Sequence, residues 1–476
     1  MRRRAAAALT LLLVGAGAAG LLARRLWPRL EPARTLPLLP GWPWQQIAAP
    51  PATQPVVPVE GLSPGWRVSG LGNPAAWRYP HCWQSLPRTP WDLAVFDGRV
   101  YLGLGHAGNE GPTANAGPVP LLAYRLAEGR WRQEATLAEE EIHRFVGHGR
   151  QLWIPGSDPR GSWRWGNLYR RQARGLLWWQ QRRLPGFIHA NDLAWQLGRM
   201  VVAGNVDDAV ASAPAGERHG SALAVSGDGG RRWQVQRLAG WRASSLVPLD
   251  GQLYALEVLP GPRLRRWLVA GGRLAAFAAL HELQADGRWR PRRELRQADL
   301  LPGVVDGGRR YAWIGQVTSA GAGAAWIASL GPAADEPPRR QAFVARSLRP
   351  GAIDLRPVLL PAGEQAMDLQ ADGQGWLLLS STELAPQRWR SRISRLSTTP
   401  GGIRSQELLR WQAPLPAWSV AAERPGQGAG ERGGWFVGLG HPPFRREPLP
   451  HQCPPSARLS GSVVSLRPPA APGAAP

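Results

Sequence analysis

From Trp91 onward, hydrophobic positions fall in short alternating or continuous runs, paired around a turn that ends in Gly and closing in small residues. That is the pattern of a β-hairpin. The clearest copies are LAVFDGRVYLGLG around Gly98, FVGHGRQLWIPG around Gly149, LAWQLGRMVVAG around Gly198 and SLVPLDGQLYALE around Gly251. Weaker copies centre on Gly307, Gly373 and Gly434, so successive turns stand 51, 49, 53, 56, 66 and 61 residues apart. A period near 50 residues matches one four-stranded blade of a β-propeller. A second landmark, a turn followed by Trp, keeps the same phase at Trp131, Trp179, Trp233, Trp289 and Trp389 and marks the turn between third and fourth strands. These indoles are expected to pack between blades. Seven hairpins predict an all-β, seven-bladed propeller over residues 61–470, with a six-bladed ring carrying one divergent insertion as the alternative.

The last repeat lacks a fourth strand, since only SGSVVSLRP (Ser460 to Pro468) follows it before a Pro/Ala tail over 471–476. Upstream of the first repeat, GWRVSGLG (Gly65 to Gly72) has no partner. Pairing the two in one blade closes the ring and removes the exposed edges. Closure would also bring together Cys82 and Cys453, the only cysteines, which are therefore expected to form a disulfide in an oxidising compartment.

Composition sharpens this picture. With 57 Gly and 47 Pro in 476 residues, a mostly helical chain is excluded. All 57 basic residues are Arg and outnumber 34 acids, for a formal net charge of +23. The Arg residues are spread along the chain without an aromatic-basic module, which disfavours nucleic acid. An anionic polysaccharide, a lipid surface or an acidic protein suits that charge better.

Residues 5–23 are uncharged and lie between Arg2, Arg3, Arg4 and Arg24, Arg25, Arg29. This predicts a signal anchor or signal peptide over 1–30, followed by a Pro-rich linker over 31–60, with the propeller outside the cytoplasm. Gly15 to Gly20 spells the dinucleotide fingerprint, but Pro28 interrupts the helix that the motif needs. Gly61-Leu62-Ser63-Pro64-Gly65 spells a hydrolase elbow without strand or helix around it, and reads as linker.

Ser226-Gly227-Asp228-Gly229-Gly230-Arg231-Arg232-Trp233 fits the Asp-box pattern S-x-D-x-G-x-x-W. On Ser226, Asp228, Gly230 and Trp233 the chain resembles the Asp-box (BNR-repeat), sialidase-like propellers. The resemblance implies a structural turn between third and fourth strands, remote from any binding face. A sialidase would also need an arginine motif of the FRIP type, which does not occur here.

The position six residues before the hairpin Gly holds Asp92, His143, Asp192 and Ser245 in the first four repeats, and Asp368 lies five before Gly373. First strands line a propeller's channel, so these residues, with His189 and Asn191 just upstream, are candidates for a polar binding ring. Loops after second strands open on the same face; one carries Trp163 and Trp165, the other Asp207, Asp208 and His219. No zinc, Ca²⁺, P-loop or CxxC motif occurs, so no metal and no cofactor are expected. The functional expectation is an exported, membrane-anchored, non-catalytic propeller that binds a macromolecular partner or glycan through one face. The alternatives are a glycoside hydrolase drawing its acids from Asp92, Asp192 or Asp368, and a structural scaffold.

Overall fold

The computed structural model describes residues 33–38, 57–108, 111–207, 219–238, 242–258, 278–295, 310–321, 323–332, 339–349, 352–373, 375–399, 401–423, 433–442, 448 and 452–468. Seven antiparallel sheets follow one another along the chain. Their first strands, Asp92–Phe96, Val146–His148, Phe187–Gln196, Arg242–Leu249, Arg310–Ala320, Gln365–Ala371 and Ala417–Ala422, belong to blades 1 to 7 in order. Each is hydrogen-bonded to the strand that follows it, and the sheets radiate from these innermost strands as a seven-bladed β-propeller. Second and third strands sit between neighbours in their own blade and between the faces of two other blades. That is why runs such as Val100–Gly103 read as continuously apolar rather than alternating.

Seven apolar clusters fill the seven interfaces between adjacent blades. The closing cluster packs Leu93, Leu102 and Trp131 of blade 1 against Phe436 and Val463 of blade 7. Trp131, Trp178 and Trp289, at the starts of fourth strands, are buried as the Trp period requires. Within the Trp178-Trp179 pair the inward residue is Trp178, whereas Trp179 is 40% exposed. Trp389 is buried too, but it opens the third strand of blade 6, Arg388–Thr399, so its agreement with the period is one of spacing and not of position.

The hairpin turns explain the periodic Gly. Asp97-Gly98, Leu197-Gly198 and Asp250-Gly251 all have positive φ at both residues (52° and 71°, 49° and 73°, 56° and 73°). This is the type I′ conformation whose twist matches the flanking strands. In blade 5 the hairpin turns at Gly321 and not at the expected Gly307, which lies outside the described residues. The run Arg310 to Gly315 belongs to the first strand and not to the second.

Ring closure follows the expected route: Arg67–Gly72 pairs with Ser462–Arg467 as the outer strand of blade 7. Cys82 and Cys453 form a disulfide with Cα atoms 5.8 Å apart. Within the stretch read as linker, Arg34–Leu38 adds a fifth strand to the outer edge of blade 2. The signal anchor or signal peptide expected over 1–30 lies outside the described residues; among those described no helix is long and apolar enough to cross a membrane.

Two outcomes test this account. Replacing Cys82 and Cys453 by Ser opens a covalent loop of 371 residues, and is expected to lower stability by as much as about 5 kcal/mol in denaturant titrations. Leu197 is 83% exposed and held at φ 49°, a conformation that Asn tolerates far better. Leu197→Asn is expected to raise stability by about 0.5–1 kcal/mol in the same assay.

Candidate functional site

The first strands share a device that sets what faces the axis. Asp192 Oδ1 accepts the N–H of Leu193 at 2.7 Å, and its Oδ2 accepts the N–H of Leu246 in the next blade at 2.8 Å. Asp368 repeats this with Leu369 and Val420, both at 2.8 Å. Asp92 accepts from Phe145 at 2.6 Å. Each carboxylate thus latches one blade to the next. All three are buried, at 4%, 1% and 0% exposure for Asp92, Asp192 and Asp368. Burial pushes the Asp92 carboxyl up to about 7 and raises Asp192 and Asp368 as well, against the opposing pull of the N–H donors.

In four blades a β-bulge takes the residue before the latch position out of the ladder. Pairing skips from Ala190 to Asp192, from Ala243 to Ser245, from Ala366 to Asp368 and from Ala417 to Ser419. The skipped residues are Asn191, Ser244, Met367 and Trp418. A wider irregularity in blade 5 frees Gln316. A bulge leaves its extra residue out of the ladder and turns its side chain aside, a common arrangement beside binding sites.

Trp418, Asn191, Ser244 and Gln316 accordingly line an axial cavity of about 450 Å³, together with Trp91 and His143. Glu141, His189 and Arg242, each two residues before one of these positions, form a second tier on the same wall. Ser157, Arg144 and Arg340 complete the polar lining. Of the residues singled out in the sequence, His143, His189 and Asn191 therefore meet in one cavity, whereas Asp92, Asp192 and Asp368 stand behind its wall. Trp163 is exposed and Trp165 half-buried under the Arg164 guanidinium, 5.7 Å from its ring; neither lines the cavity. Asp207 ends the second strand of blade 3, His219 begins the third, and Asp208 lies outside the described residues. Ser63 of the elbow-like motif accepts the Arg410 N–H and has no part in the cavity.

The cavity is cationic. Arg242 donates to Asn205 Oδ1 at 2.9 Å, Arg144 stands 3.3 Å from Asp192, and Arg340 donates to the Met367 carbonyl at 3.1 Å with its guanidinium 5.2 Å from the Trp418 ring. Desolvation lowers Arg242 and Arg340 to about 10, so both remain charged at neutral pH. Burial pushes Glu141 and Asp158 up to about 7 and His143 down to about 4. His143 is therefore neutral, and its Nε2–H donates to the Asn191 carbonyl at 3.0 Å. The three Arg escaped notice in the sequence because 57 Arg offer no contrast. Glu141 had a signal, lying two residues before His143 in the segment that leads into the first strand of blade 2.

The Ser226 turn is well formed. Ser226 Oγ donates to Asp228 Oδ1 at 2.8 Å and accepts the Gly230 N–H, while Asp228 accepts from Arg231 and Arg232. Trp233 packs on the core between blades 2 and 3. As the residue types require, the turn joins third and fourth strands, far along its blade from the axis.

No protein-family model matches the chain, and no curated protein is significantly similar to it. Among solved structures the superpositions are loose. One from a mitotic checkpoint complex is 11% identical, covers 79% of this chain and 88% of its own, and superposes with a TM-score of 0.42. An α-L-arabinanase from Cellvibrio cellulosa is 14% identical over 56% of this chain and 94% of its own (TM-score 0.29). A GH43_1 enzyme from Xanthomonas citri is 15% identical over 56% and 89% (TM-score 0.32). Likeness at this level concerns fold alone. The expected kinship with Asp-box, sialidase-like propellers is not upheld: the ring has seven blades where sialidases typically have six. The Ser226 turn is a local solution to a tight connection and carries no family with it.

The latch makes a direct prediction. Asp192→Ala leaves the Leu246 N–H buried without an acceptor and removes the carboxylate beside Arg144. It is expected to cost about 2–4 kcal/mol in chemical denaturation, with Asp192→Asn, which keeps one acceptor, losing clearly less.

Proposed function

We propose that the protein binds an acidic glycan in the axial cavity through its carboxylate groups. The observation that supports this reading is the convergence of Arg144, Arg242 and Arg340 with Trp91 and Trp418 around one cavity on the propeller axis. Guanidiniums pair with carboxylates in a fixed fork, and indole walls suit the apolar faces of sugar rings. Desolvation lowers Arg242 and Arg340 without neutralising them, so both bring positive charge to the cavity wall, which suits an incoming anion. Small hydroxyl and amide groups, Ser157, Asn191, Ser244 and Gln316, are the kind that orient sugar hydroxyls. The disulfide fits an exported protein, which would meet such polymers outside the cytoplasm.

A second reading, glycan hydrolysis, is favoured by the Glu141 carboxyl. Held near 7 beside Arg242, it is half-protonated at neutrality and suited to general acid work. The acids of a hydrolase would then be Glu141 and Asp158 rather than Asp92, Asp192 and Asp368.

Calorimetry with oligogalacturonate and with a neutral oligosaccharide of equal length tests the binding reading. Oligogalacturonate is expected to bind, and Arg242→Gln to weaken it about 10- to 100-fold. Equal binding of the neutral sugar would overturn the reading. Affinity should also fall as pH rises from 6 to 8. Glu141 and Asp158, with pKa values raised to about 7, lose protons over that interval and add negative charge beside the anion. His143, at about 4, is neutral throughout and contributes nothing to the trend.

A further inference from the structure

Three single-residue bridges link neighbouring segments on the cavity face: Gly105 of blade 1 to Glu141 of blade 2, Glu141 to Ser157 within blade 2, and Ser157 to His189 of blade 3. Directly opposed residues in such pairings present their side chains on one side. A carboxyl, a hydroxyl and an imidazole are thereby ranged side by side, and all three line the cavity. Ser157 Oγ lies 3.2 Å from His189 Nδ1. On the other side of the same ring, His189 Nε2 lies 3.5 Å from Asp158 Oδ2.

Backbone geometry holds this arrangement. Glu140 N–H donates to the Ser157 carbonyl at 3.1 Å, and Asp158 N–H donates to the Ile188 carbonyl at 2.9 Å. Ala190 N–H donates to Gly156 at 2.8 Å, so the segment is tied on both flanks. Asp158 adopts φ +55°, a left-handed conformation that turns the chain sharply just after Ser157. Backbone strain of this kind collects where a side chain must be presented in one direction.

We propose that Ser157, His189 and Asp158 form a hydrolytic triad that cleaves acyl esters carried by the ligand of the axial cavity. The inference rests on the glycan reading for the identity of that ligand, an O-acylated acidic sugar, but not for the chemistry. Asp158 accepts Nε2–H and selects the tautomer whose Nδ1 lone pair faces the Ser157 hydroxyl. Ser157 Oγ attacks the ester carbonyl carbon, its proton passes to Nδ1, and the carbonyl electron pair moves onto oxygen. Arg242, whose charge interacts with Glu141 and Asp158, is the nearby cation for that oxyanion. Collapse breaks the bond to the sugar oxygen, which leaves with the proton from Nδ1. Water then adds to the acyl-enzyme, giving one proton to Nδ1. As the Oγ–carbon bond breaks, that proton returns to Oγ, releasing a carboxylic acid and restoring the enzyme. Ser157 and His189 are the catalytic residues, and Asp158 is a positioning residue.

An ethyl alkyl-fluorophosphonate tests this, since it reports an activated serine without needing a sugar. Intact-mass and peptide mapping are expected to find one phosphonyl group, on Ser157. His189→Ala should slow its attachment by about 100-fold or more. With p-nitrophenyl acetate as substrate, Asp158→Asn should lower kcat by a similar factor while leaving KM unchanged, a split that a purely structural role would not give. Oligogalacturonate binding without labelling of Ser157 would overturn the triad and leave the glycan reading standing. Labelling without oligosaccharide binding would do the reverse. Labelling of a different serine, or wild-type turnover of p-nitrophenyl acetate by Ser157→Ala, would also overturn the triad.

Discussion

The angle between neighbouring blades is held from inside by a carboxylate that accepts a backbone N–H across the interface. Asp92, Asp192 and Asp368 each do this, at three separate junctions of the ring. An Asp side chain is short, so the two first strands cannot drift apart by more than a fraction of an ångström without losing a buried bond. Everything at the axis inherits this precision. Beside Asp192 a bulge adds one residue, Asn191, which leaves the ladder and faces the cavity, whereas the residue added beside Asp368, Met367, packs into the core between blades 6 and 7. Latch and lining are two consequences of one local geometry.

This explains how the sequence could announce the ring and misdirect attention within it. Hairpin turns are legible because a type I′ turn demands Gly, and blade counting needs little more. The closing strand and the disulfide were legible because a ring leaves its two ends no other place to go. The polar period at Asp92, Asp192 and Asp368 was real, but its cause was structural. Counting back from a Gly finds the latch, and a bulge shifts the lining by one residue, so the cavity owes more to Trp91, Ser244 and Trp418 than to the acids beside them. His143 was found because the turn Gly of blade 2, Gly149, comes one residue earlier, at the first position of its two-residue turn. Arg144, Arg242 and Arg340 were invisible for a statistical reason: in a chain whose every basic residue is Arg, no single Arg stands out. Ser157 and His189 are 32 residues apart in different blades, and only the folded ring makes them neighbours.

Charge in the cavity is balanced against burial rather than against itself. Arginines enter from blades 2, 4 and 5, while the nearest carboxyls, Glu141 and Asp158, are raised toward neutrality by the same desolvation that lowers Arg242 and Arg340. Acids are eased toward their neutral form, and the cations have no neutral form within reach of physiological pH. The asymmetry leaves positive charge at the axis, in keeping with a chain whose formal net charge is +23.

The outer strand of blade 7 has a history as well as a position. Arg67–Gly72 is synthesised before the rest of its blade and before all of blades 1 to 6 from Asp92 onward, and its partner Ser462–Arg467 follows about 400 residues later. At ordinary translation speeds of 5–20 residues per second the early strand waits roughly 20–80 s for its mate. During that interval it is an unpaired β-edge, the element most prone to joining a strand of another molecule. Its composition suits the wait: Arg67, Ser69, Gly70 and Gly72 leave only Val68 and Leu71 as apolar side chains in six residues. A strand that must stay solitary for most of the chain's synthesis is kept too polar and too glycine-rich to find the wrong companion.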